Sequence, residues 1–570
     1  MKGVKQMAYK PLPIGIDDFE KIITKEYYYV DKTLLIKDIL DKNGEAILFT
    51  RPRRFGKTLN LSMLRYYFEK PLDGNSRKEL FQGLKIMESG ERYTKEQGQY
   101  PVITLTLKSA KQPTWNMAHA SLIDDIAREY KRHESVLLSE TISDIDKERF
   151  LNIRNRKAES VEYAKSLLFL SECLSQVYDK KVIILIDEYD VPLEHAYYSG
   201  FYDEMVGFIR SLFESALKTN PYLEFSVISG CLRISKESIF TGLNNLKIIS
   251  ILAKDYDEHF GFVEEEVKQM LQYYHCESKM DVMKRWYNGY LFGDVEVYNP
   301  WSVINFMESL CATKDAFPTA TWSNTSSNSI VRDLIYKASD TVRDEIELLT
   351  TGATIEKKVH EDITYEDIYS SEDNLWNFLL FTGYLKQVSI RMEEDERYVT
   401  MSIPNTEVRS IYQNQIQNWF RDKIEVEDLT KLYDAMLSGK QAEFQQEIIK
   451  QLRQTISYMD GKEAFYHGFL LGLMANLKGY RVRSNREAGD GRYDICIYNL
   501  DETIPPVVLE LKVSNGFKEM EADSLKALKQ IDEKRYDAEL VEDGYTQTIR
   551  FGIAFYKKNC RISVERHDLD

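Results

Sequence analysis

Short apolar runs separated by helical patterns organise the first 230 residues of this chain. Four runs predict strands, at residues 46–49, 100–107, 182–186 and 224–230. The run at 182–186 is continuously apolar and β-branched, which is typical of a central parallel strand covered on both faces. Helical patterns lie around 115–133 and 160–180. We expect the strand at 100–107 to pair beside the strand at 46–49, within a parallel α/β sheet.

After residue 252 the pattern becomes mainly helical up to about residue 418. Leu379–Leu385 followed by alternation up to Ile403 predicts a helix leading into a β-hairpin, which fits a small winged-helix module. Residues 423–460 are helical and highly charged, and we place a domain boundary in or near them. Beyond them a helix precedes two strands, at 492–498 and 507–513. The predicted domains are 1–255, 256–425 and 426–570.

Composition narrows the class of protein. A length of 570 residues predicts two to four domains, and 43% hydrophobic with 29% charged residues is ordinary for a globular protein. The six cysteines form no CxxC pair, and no apolar run reaches 18 residues. We therefore expect reduced thiols, no membrane span and a cytoplasmic location. A net charge of −16 argues against a protein that coats nucleic acid, although a local basic groove remains compatible with it.

A phosphate-binding loop is predicted directly after the strand at 46–49. Strand, loop, Gly-Lys-Thr and helix is the context that a P-loop requires. Lys57 is expected to reach the outer phosphates and Thr58 to ligate Mg²⁺. The full P-loop pattern has Gly six residues before this Lys, and the chain has Arg51 there. The residues expected to hold the nucleotide are Arg53, Arg54, Phe55, Gly56, Lys57 and Thr58.

The strand at 182–186 ends in the acidic pair that a P-loop needs. Asp187 is expected to hold Mg²⁺ and Glu188 to orient the attacking water. The alternative, a solvated acidic turn after a core strand, is less favoured because both halves of the site occur in order. At the end of the next strand Ser229 occupies the place of a polar sensor of the γ-phosphate. Arg233 lies just beyond it, and either stabilises phosphate charge or pairs with a surface acid.

Two aromatic loops, at 286–290 and 298–302, combine Asn-Gly and Asn-Pro with Trp and Tyr. These dipeptides are turn chemistry. The aromatic rings are able to stack on a nucleotide base, but packing in a core is the favoured interpretation.

A second cluster of chemistry lies near the C-terminus. Alternate side chains of a strand share a face, so Glu510 and Lys512 point the same way while Leu509 and Leu511 face the core. Asp494 on the preceding strand is placed to meet them. Two carboxylates and a lysine suit a Mg²⁺ site for phosphodiester hydrolysis. The alternative is a charged edge strand, but residues 507–513 are otherwise too apolar for one. Glu463 is a weaker candidate metal ligand, and Gln530 and Lys534 share a helix face that approaches the same spot.

Two sets of motifs resemble known families. PLPIGIDDFE, YYYVDKT, FTRPRRFGKTLNLSML, LIDEYDVPL, SGCLRISKESIFTGLNNL, WYNGY and YNPWS resemble the AAA-ATPase-like family abundant in Bacteroides and related bacteria. FYHGFLLGL, RYDICI, VVLELKV, ALKQIDEKRY and FGIAFYKKNC resemble the PD-(D/E)XK nuclease superfamily. Arg51 is similar to the first family's own P-loop variant. The second resemblance implies a nuclease motif at Asp494, Glu510 and Lys512, and less securely at Glu463 and Gln530.

These observations predict three α/β and helical parts with two chemical sites. We expect a P-loop NTPase domain of the additional-strand class, a helical and winged-helix-like middle region, and a C-terminal α/β domain that the resemblance implies is restriction-endonuclease-like. The expected ligands are ATP with Mg²⁺ and DNA or RNA, with Mn²⁺ as a substitute at the nuclease site; assembly of identical chains stays open. Defence or mobile-element biology is one hypothesis for the role.

Two alternatives keep the ATP site and change the C-terminal domain. In the first, the protein is an ATP-dependent signalling or assembly switch whose C-terminal domain binds nucleic acid or protein without cutting. In the second, that domain only mediates contacts in an oligomer.

Overall fold

The chain folds into two compact units in the computed structural model. The first comprises Met1–Ser327 with Ile355–Ser410, and the second comprises Asn328–Thr354 with Ile411–Asp570. The domain boundaries at 255 and 425 stay predictions. The structure describes residues 9–218, 220–233, 239–240, 243–322, 336, 339–361, 365, 368, 371–415, 428–455, 463–474, 477–488, 491–499, 504–534, 540–541 and 543–569.

Helices and strands alternate through both units. In chain order the helices are α1 (Phe19–Thr24), α2 (Leu34–Lys42), α3 (Lys57–Phe68), α4 (Glu91–Thr94), α5 (Trp115–Arg132), α6 (Asp144–Arg154), α7 (Ser160–Ala164), α8 (Ser166–Tyr178), α9 (Val191–Ser199), α10 (Tyr202–Leu217), α11 (Glu264–Tyr273), α12 (Met280–Tyr287), α13 (Pro300–Ala312), α14 (Asp340–Thr350), α15 (Glu372–Phe381), α16 (Thr430–Leu437), α17 (Gln441–Thr455), α18 (Glu463–Met474) and α19 (Met520–Glu533). The strands are β1 (Ala46–Thr50), β2 (Val102–Thr106), β3 (Val182–Asp187), β4 (Leu223–Gly230), β5 (Leu246–Ile249), β6 (Tyr290–Phe292), β7 (Val295–Val297), β8 (Ile355–Lys358), β9 (Lys386–Glu393), β10 (Glu396–Ser402), β11 (Tyr480–Ala488), β12 (Gly491–Asn499), β13 (Val507–Val513), β14 (Gln547–Tyr556) and β15 (Asn559–Asp568).

A five-stranded parallel sheet forms the centre of the first unit, in the order β2-β3-β4-β1-β5. Every residue of β1 and β3 is buried, as their continuous apolar sequences predict. Because β4 lies between the strand that precedes the P-loop and the strand that ends in the acidic pair, the sheet has the additional-strand arrangement. The predicted α/β class is confirmed.

The predicted partner of β2 is wrong. β2 pairs with β3 at one edge of the sheet, whereas β1 lies between β4 and β5. Neighbours in sequence are neighbours in a sheet only about two-thirds of the time. Here β3 and β4 both lie between the two strands that we expected to pair.

The later part of the first unit packs helices against short strands. Helix α15 is followed by the hairpin of β9 and β10, with β8 on the other side of β10, which confirms the predicted order of helix and hairpin. The helix itself ends at Phe381, so residues 382–385 of the stretch predicted as helical form a turn instead. Tyr287, Tyr290 and Tyr298 are fully buried, or nearly so. Core packing is therefore the correct interpretation of these three aromatic residues.

A five-stranded mixed sheet forms the centre of the second unit, in the order β11-β12-β13-β14-β15. Only β13 and β14 are parallel, because helix α19 connects them. One face of the sheet packs against α16, α17 and α18, and α19 packs on β13, β14 and β15. At Gly552 on β14 a Cβ atom would lie 2.1 Å from the Ser524 carbonyl oxygen and 2.5 Å from the Leu528 nitrogen of α19. Glycine therefore lets this helix approach the sheet.

In the described part of the chain, no helix combines the length and the apolarity needed to cross a bilayer.

Candidate functional site

The loop between β1 and α3 folds back on its own lysine. Gly56 adopts φ +83° immediately before α3, and Arg54 adopts φ +71°, so two left-handed residues turn the chain. The Lys57 ammonium donates to the carbonyl oxygens of Arg51 and Pro52, both at 2.8 Å. The loop thus holds the lysine at the N-terminus of a helix, where anions are favoured.

Asp187 is the last residue of β3, and it lies where β3 ends beside the carboxyl ends of its neighbours β2 and β4. The Thr58 hydroxyl donates to one carboxylate oxygen at 2.7 Å, and the Ser229 hydroxyl donates to the other. Burial raises the pKa of Asp187, and these two hydrogen bonds act against that shift. A carboxylate beside a hydroxyl matches the oxygen ligands that Mg²⁺ prefers, so the donor set fits this ion.

Glu188 follows in a left-handed conformation, φ +52°. Its backbone N–H approaches the Ser229 hydroxyl at 3.4 Å. The side chain is half-buried and lines a cavity together with Lys57 and Thr58. The predicted water-orienting carboxylate therefore lies at the same edge of the sheet as the predicted Mg²⁺ ligand.

Arg51, where a standard P-loop has glycine, is fully buried. Its guanidinium donates to the carbonyl oxygens of Thr50 at 3.0 Å and Ile249 at 2.8 Å. It also lies 5.3 Å from the ring centre of Phe260 and 5.0 Å from that of Phe292. Arg51 thus joins the ends of β1 and β5 beneath the loop.

The remaining arginines proposed for the site have different surroundings. Arg53 forms an ion pair with Glu194 on α9. Arg54 is exposed and lies 4.3 Å from the ring centre of Trp301. Arg233 is half-buried just after β4, and it is not among the described residues that line the cavity.

Phe55 is buried against the rings of Tyr290 and Phe292. It anchors the loop by this packing, and its carbonyl oxygen accepts a hydrogen bond from the Gly261 N–H at 3.2 Å.

The cavity has a volume of about 290 Å³ and belongs entirely to the first unit. Apolar and aromatic residues line it, among them Ile16, Tyr28, Val30, Trp301 and Ile304. The loop and Glu188 line it as well, together with three lysines that the sequence analysis did not single out, Lys32, Lys108 and Lys111. A lining that combines apolar surface with cations suits a ligand with a base and phosphates.

The C-terminal site lies on the sheet face that α19 covers. The Asp494 carboxylate accepts a hydrogen bond from the Leu511 N–H at 2.8 Å, and His467 contacts the Asp494 carbonyl oxygen at 3.0 Å. The Lys512 ammonium donates to the Gln530 side-chain oxygen at 2.7 Å, and the Gln530 amide donates to Glu510. The structure therefore brings the predicted side chains together. Leu509 and Leu511 face the hydrophobic core on the opposite side of the sheet, against α16, α17 and α18, as predicted.

Burial raises the pKa of Asp494, while the Leu511 N–H, His467 and Lys512 lower it. The Glu510 carboxyl is a further hydrogen-bond partner of Asp494. Two carboxyls in contact hold either a shared proton or a cation between them. Since Mg²⁺ is often bound through one or two carboxylates and several waters, this pair fits such an ion.

No group of three or more His, Cys, Asp or Glu side chains converges as a metal site within the described ranges. Glu463 is the first residue of α18, and its side chain lies outside the described part of the chain.

Comparisons with known proteins find family matches in two regions of the chain. Residues 13–240 match the model of a predicted AAA-ATPase, the AAA-ATPase-like family, and residues 461–565 match that of the PD-(D/E)XK nuclease superfamily. A relative from Azotobacter chroococcum mcd 1, described as an uncharacterized protein in the vnfD 5′ region, is 29% identical over 300 residues. The aligned part is 52% of this chain and 52% of the relative. The chain thus spans about half the length of the curated relative it matches.

Proposed function

Because this chain joins an AAA-ATPase-like domain to a C-terminal PD-(D/E)XK nuclease superfamily domain, we propose that it is an ATPase coupled to a metal-dependent nuclease. The observation that carries the first half is the hydrogen-bonded set of Thr58, Asp187 and Ser229 beside the P-loop lysine. The observation that carries the second half is the contact of Asp494 and Glu510 next to Lys512.

In the first site, the loop N–H groups and Lys57 bind the phosphates, and Lys57 leaves the carbonyl oxygens of Arg51 and Pro52 to do so. Thr58 and Asp187 would hold Mg²⁺, which would offset the negative charge of the phosphates. Glu188 orients the water that attacks the terminal phosphate. Ser229 keeps the Asp187 carboxylate aligned and favours its ionised form.

In the second site, Asp494 and Glu510 would hold a divalent cation, whose chemistry would be to activate water and polarise the scissile phosphate. Lys512 places its ammonium beside the attacking water. Gln530 positions both Glu510 and Lys512, since one amide contacts the two side chains. The proposed substrate is DNA or RNA.

ATP binding and hydrolysis by the full chain test the first half of the proposal. Glu188→Gln should retain ATP affinity while hydrolysis falls by about 10²-fold or more, the usual range for loss of a group that positions the water. Glu204→Gln, on the exposed side of α10, is the matched control and should behave as the parent. Equal hydrolysis by the parent and Glu188→Gln would remove Glu188 from the mechanism.

Cleavage of single- and double-stranded DNA and RNA with Mg²⁺ or Mn²⁺, with and without ATP, tests the second half. Asp494→Asn should abolish cleavage and retain nucleic-acid binding, whereas the exposed control Glu519→Gln should cleave as the parent does. A dependence of cleavage on ATP would establish the coupling. Binding without cleavage by the parent under every condition would instead support an ATP-dependent binding switch.

A further inference from the structure

Two lysines line the nucleotide cavity beside Glu188, and no feature of the P-loop motif accounts for them. Lys108 and Lys111 belong to the turn that follows β2. We propose that they contact the terminal phosphate of a nucleoside triphosphate, so that the cavity distinguishes triphosphate from diphosphate. This inference rests on the proposed function of the cavity.

The sheet order places this turn next to the end of β3, where Asp187 lies. In the parallel register of β2 and β3, Thr106 is opposite Asp187, and the Leu107 N–H donates to the Asp187 carbonyl oxygen at 3.1 Å. The next residue along the chain is Lys108. Lys108 therefore lies at the carboxyl ends of the strands, where open α/β sheets bind their ligands, and it lines the same cavity as Glu188.

The turn is fixed, whereas its two lysine side chains extend into solvent. The 3₁₀ turn Lys108–Ala110 packs against α5 and α9, and the Ser109 hydroxyl donates to Asp125 on α5. Both lysine side chains are exposed. A fixed backbone with long, rotatable side chains suits residues that move onto a ligand when it enters.

The charges around the cavity favour these two lysines over the nearby arginines. Arg53 is neutralised by Glu194, and Arg54 lies over Trp301. Lys108 and Lys111 have no acidic partner among the described residues, so their charge is available to a ligand. A triphosphate carries more negative charge than a diphosphate, and we place the additional charge near these lysines because they line the cavity with Glu188, the residue proposed to orient the attacking water.

The test is a comparison of ATP and ADP affinity in the full-length protein at fixed Mg²⁺, measured by calorimetry. Each lost charge-assisted contact should weaken ATP binding by about tenfold. The double variant Lys108→Ala/Lys111→Ala should therefore lose about 10²-fold in ATP affinity, with ADP affinity changed by less than about twofold. Lys108→Arg/Lys111→Arg keeps the charges and should retain most of the preference for ATP.

The matched control is Lys131→Ala/Lys157→Ala, which removes the same charge from exposed positions outside the cavity lining. Equal losses of ATP and ADP affinity in the Lys108/Lys111 variant, or a loss no larger than in the control, would overturn the inference and leave the proposed ATP site intact. A parent that binds neither nucleotide would overturn the proposed function, and this inference with it. Circular dichroism of each variant separates loss of binding from loss of fold.

Discussion

Glu407 is a buried carboxyl close to the P-loop, and it should make the stability of the first unit depend on pH. Its side chain is fully buried. It accepts hydrogen bonds from the Ser302 hydroxyl at 2.7 Å, the Trp322 N–H at 2.9 Å and the Thr321 hydroxyl at 3.4 Å. The Trp322 indole in turn donates to the Arg53 carbonyl oxygen at 3.3 Å, so Trp322 connects the carboxyl to the loop between β1 and α3.

Burial raises the pKa of Glu407 from 4.5 to about 7, although its hydrogen bonds with Trp322, Ser302 and Thr321 act in the opposite direction. Below pH 4.5 the group is protonated in both the folded and the unfolded chain, so it does not change the free energy of unfolding with pH. Between pH 4.5 and 7 the unfolded chain releases the proton while the folded chain keeps it, so stability falls as the pH rises. The full loss, reached above pH 7, is about 3 kcal/mol.

Glu407→Gln should remove this loss, because the amide has the same shape and the Ser302 hydroxyl is able to rotate and accept from it. We expect the variant to be more stable than the parent by about 1 kcal/mol at pH 5 and about 3 kcal/mol at pH 8. Urea unfolding at both values, followed by tryptophan fluorescence, measures the two differences.

The control is Glu129→Gln. Burial raises the pKa of Glu129, but Arg132 and His133 outweigh it and hold the pKa well below its usual range. Its ionised form therefore stabilises the fold, and this variant should be destabilised at both pH values. A difference between Glu407→Gln and the parent that is the same at pH 5 and pH 8 would refute the reasoning.

Three further predictions concern the two sites. Gly56→Ala should lower the free energy of unfolding by about 1–2 kcal/mol, because the φ of Gly56 is +83°. Gly207→Ala within α10 is the control and should raise it by about 0.5–1 kcal/mol. Urea unfolding compares the two variants, and equal effects would contradict the argument from φ. Ser229→Ala should raise the pH at which Mg²⁺-dependent ATP binding is half-maximal, since the carboxylate of Asp187 loses a hydrogen bond to its ionised form; an unchanged calorimetric pH profile would contradict this. Gln530→Leu should lower cleavage by tenfold or more while nucleic-acid binding persists, because two hydrogen bonds to charged groups are lost; cleavage at the parent rate would exclude a positioning role.

The central strands were predicted well from the sequence because buried strands have continuous apolar runs. The run at 182–186 became Val182–Asp187, and the run at 224–230 became Leu223–Gly230. The position of β2 was not predictable from local pattern. Which strand it joins depends on where the chain crosses the sheet, and that is decided by packing between segments distant in sequence.

The same division applies to the candidate sites. The strand, loop and helix pattern placed Lys57 and Thr58 at the start of a helix, and strand alternation placed Glu510 and Lys512 on one face. Both relations are local in sequence. Their catalytic roles stay predictions. Lys108 and Lys111 escaped notice because a lysine after a strand resembles any surface lysine until the sheet order is known.

The close approach of helix α19 at Gly552 has a consequence for how the C-terminal domain tolerates substitution. Any side chain at this position would displace the backbone of α19, and Gln530 lies on the same helix. A screen that scores nuclease activity should therefore find position 552 as intolerant as the proposed active-site positions, although this residue is buried beneath α19. Alanine at position 552 should impair cleavage by moving Gln530 away from Glu510 and Lys512. A second substitution that shortens a facing side chain of α19 should not restore cleavage, because the atoms nearest to the added Cβ belong to the helix backbone.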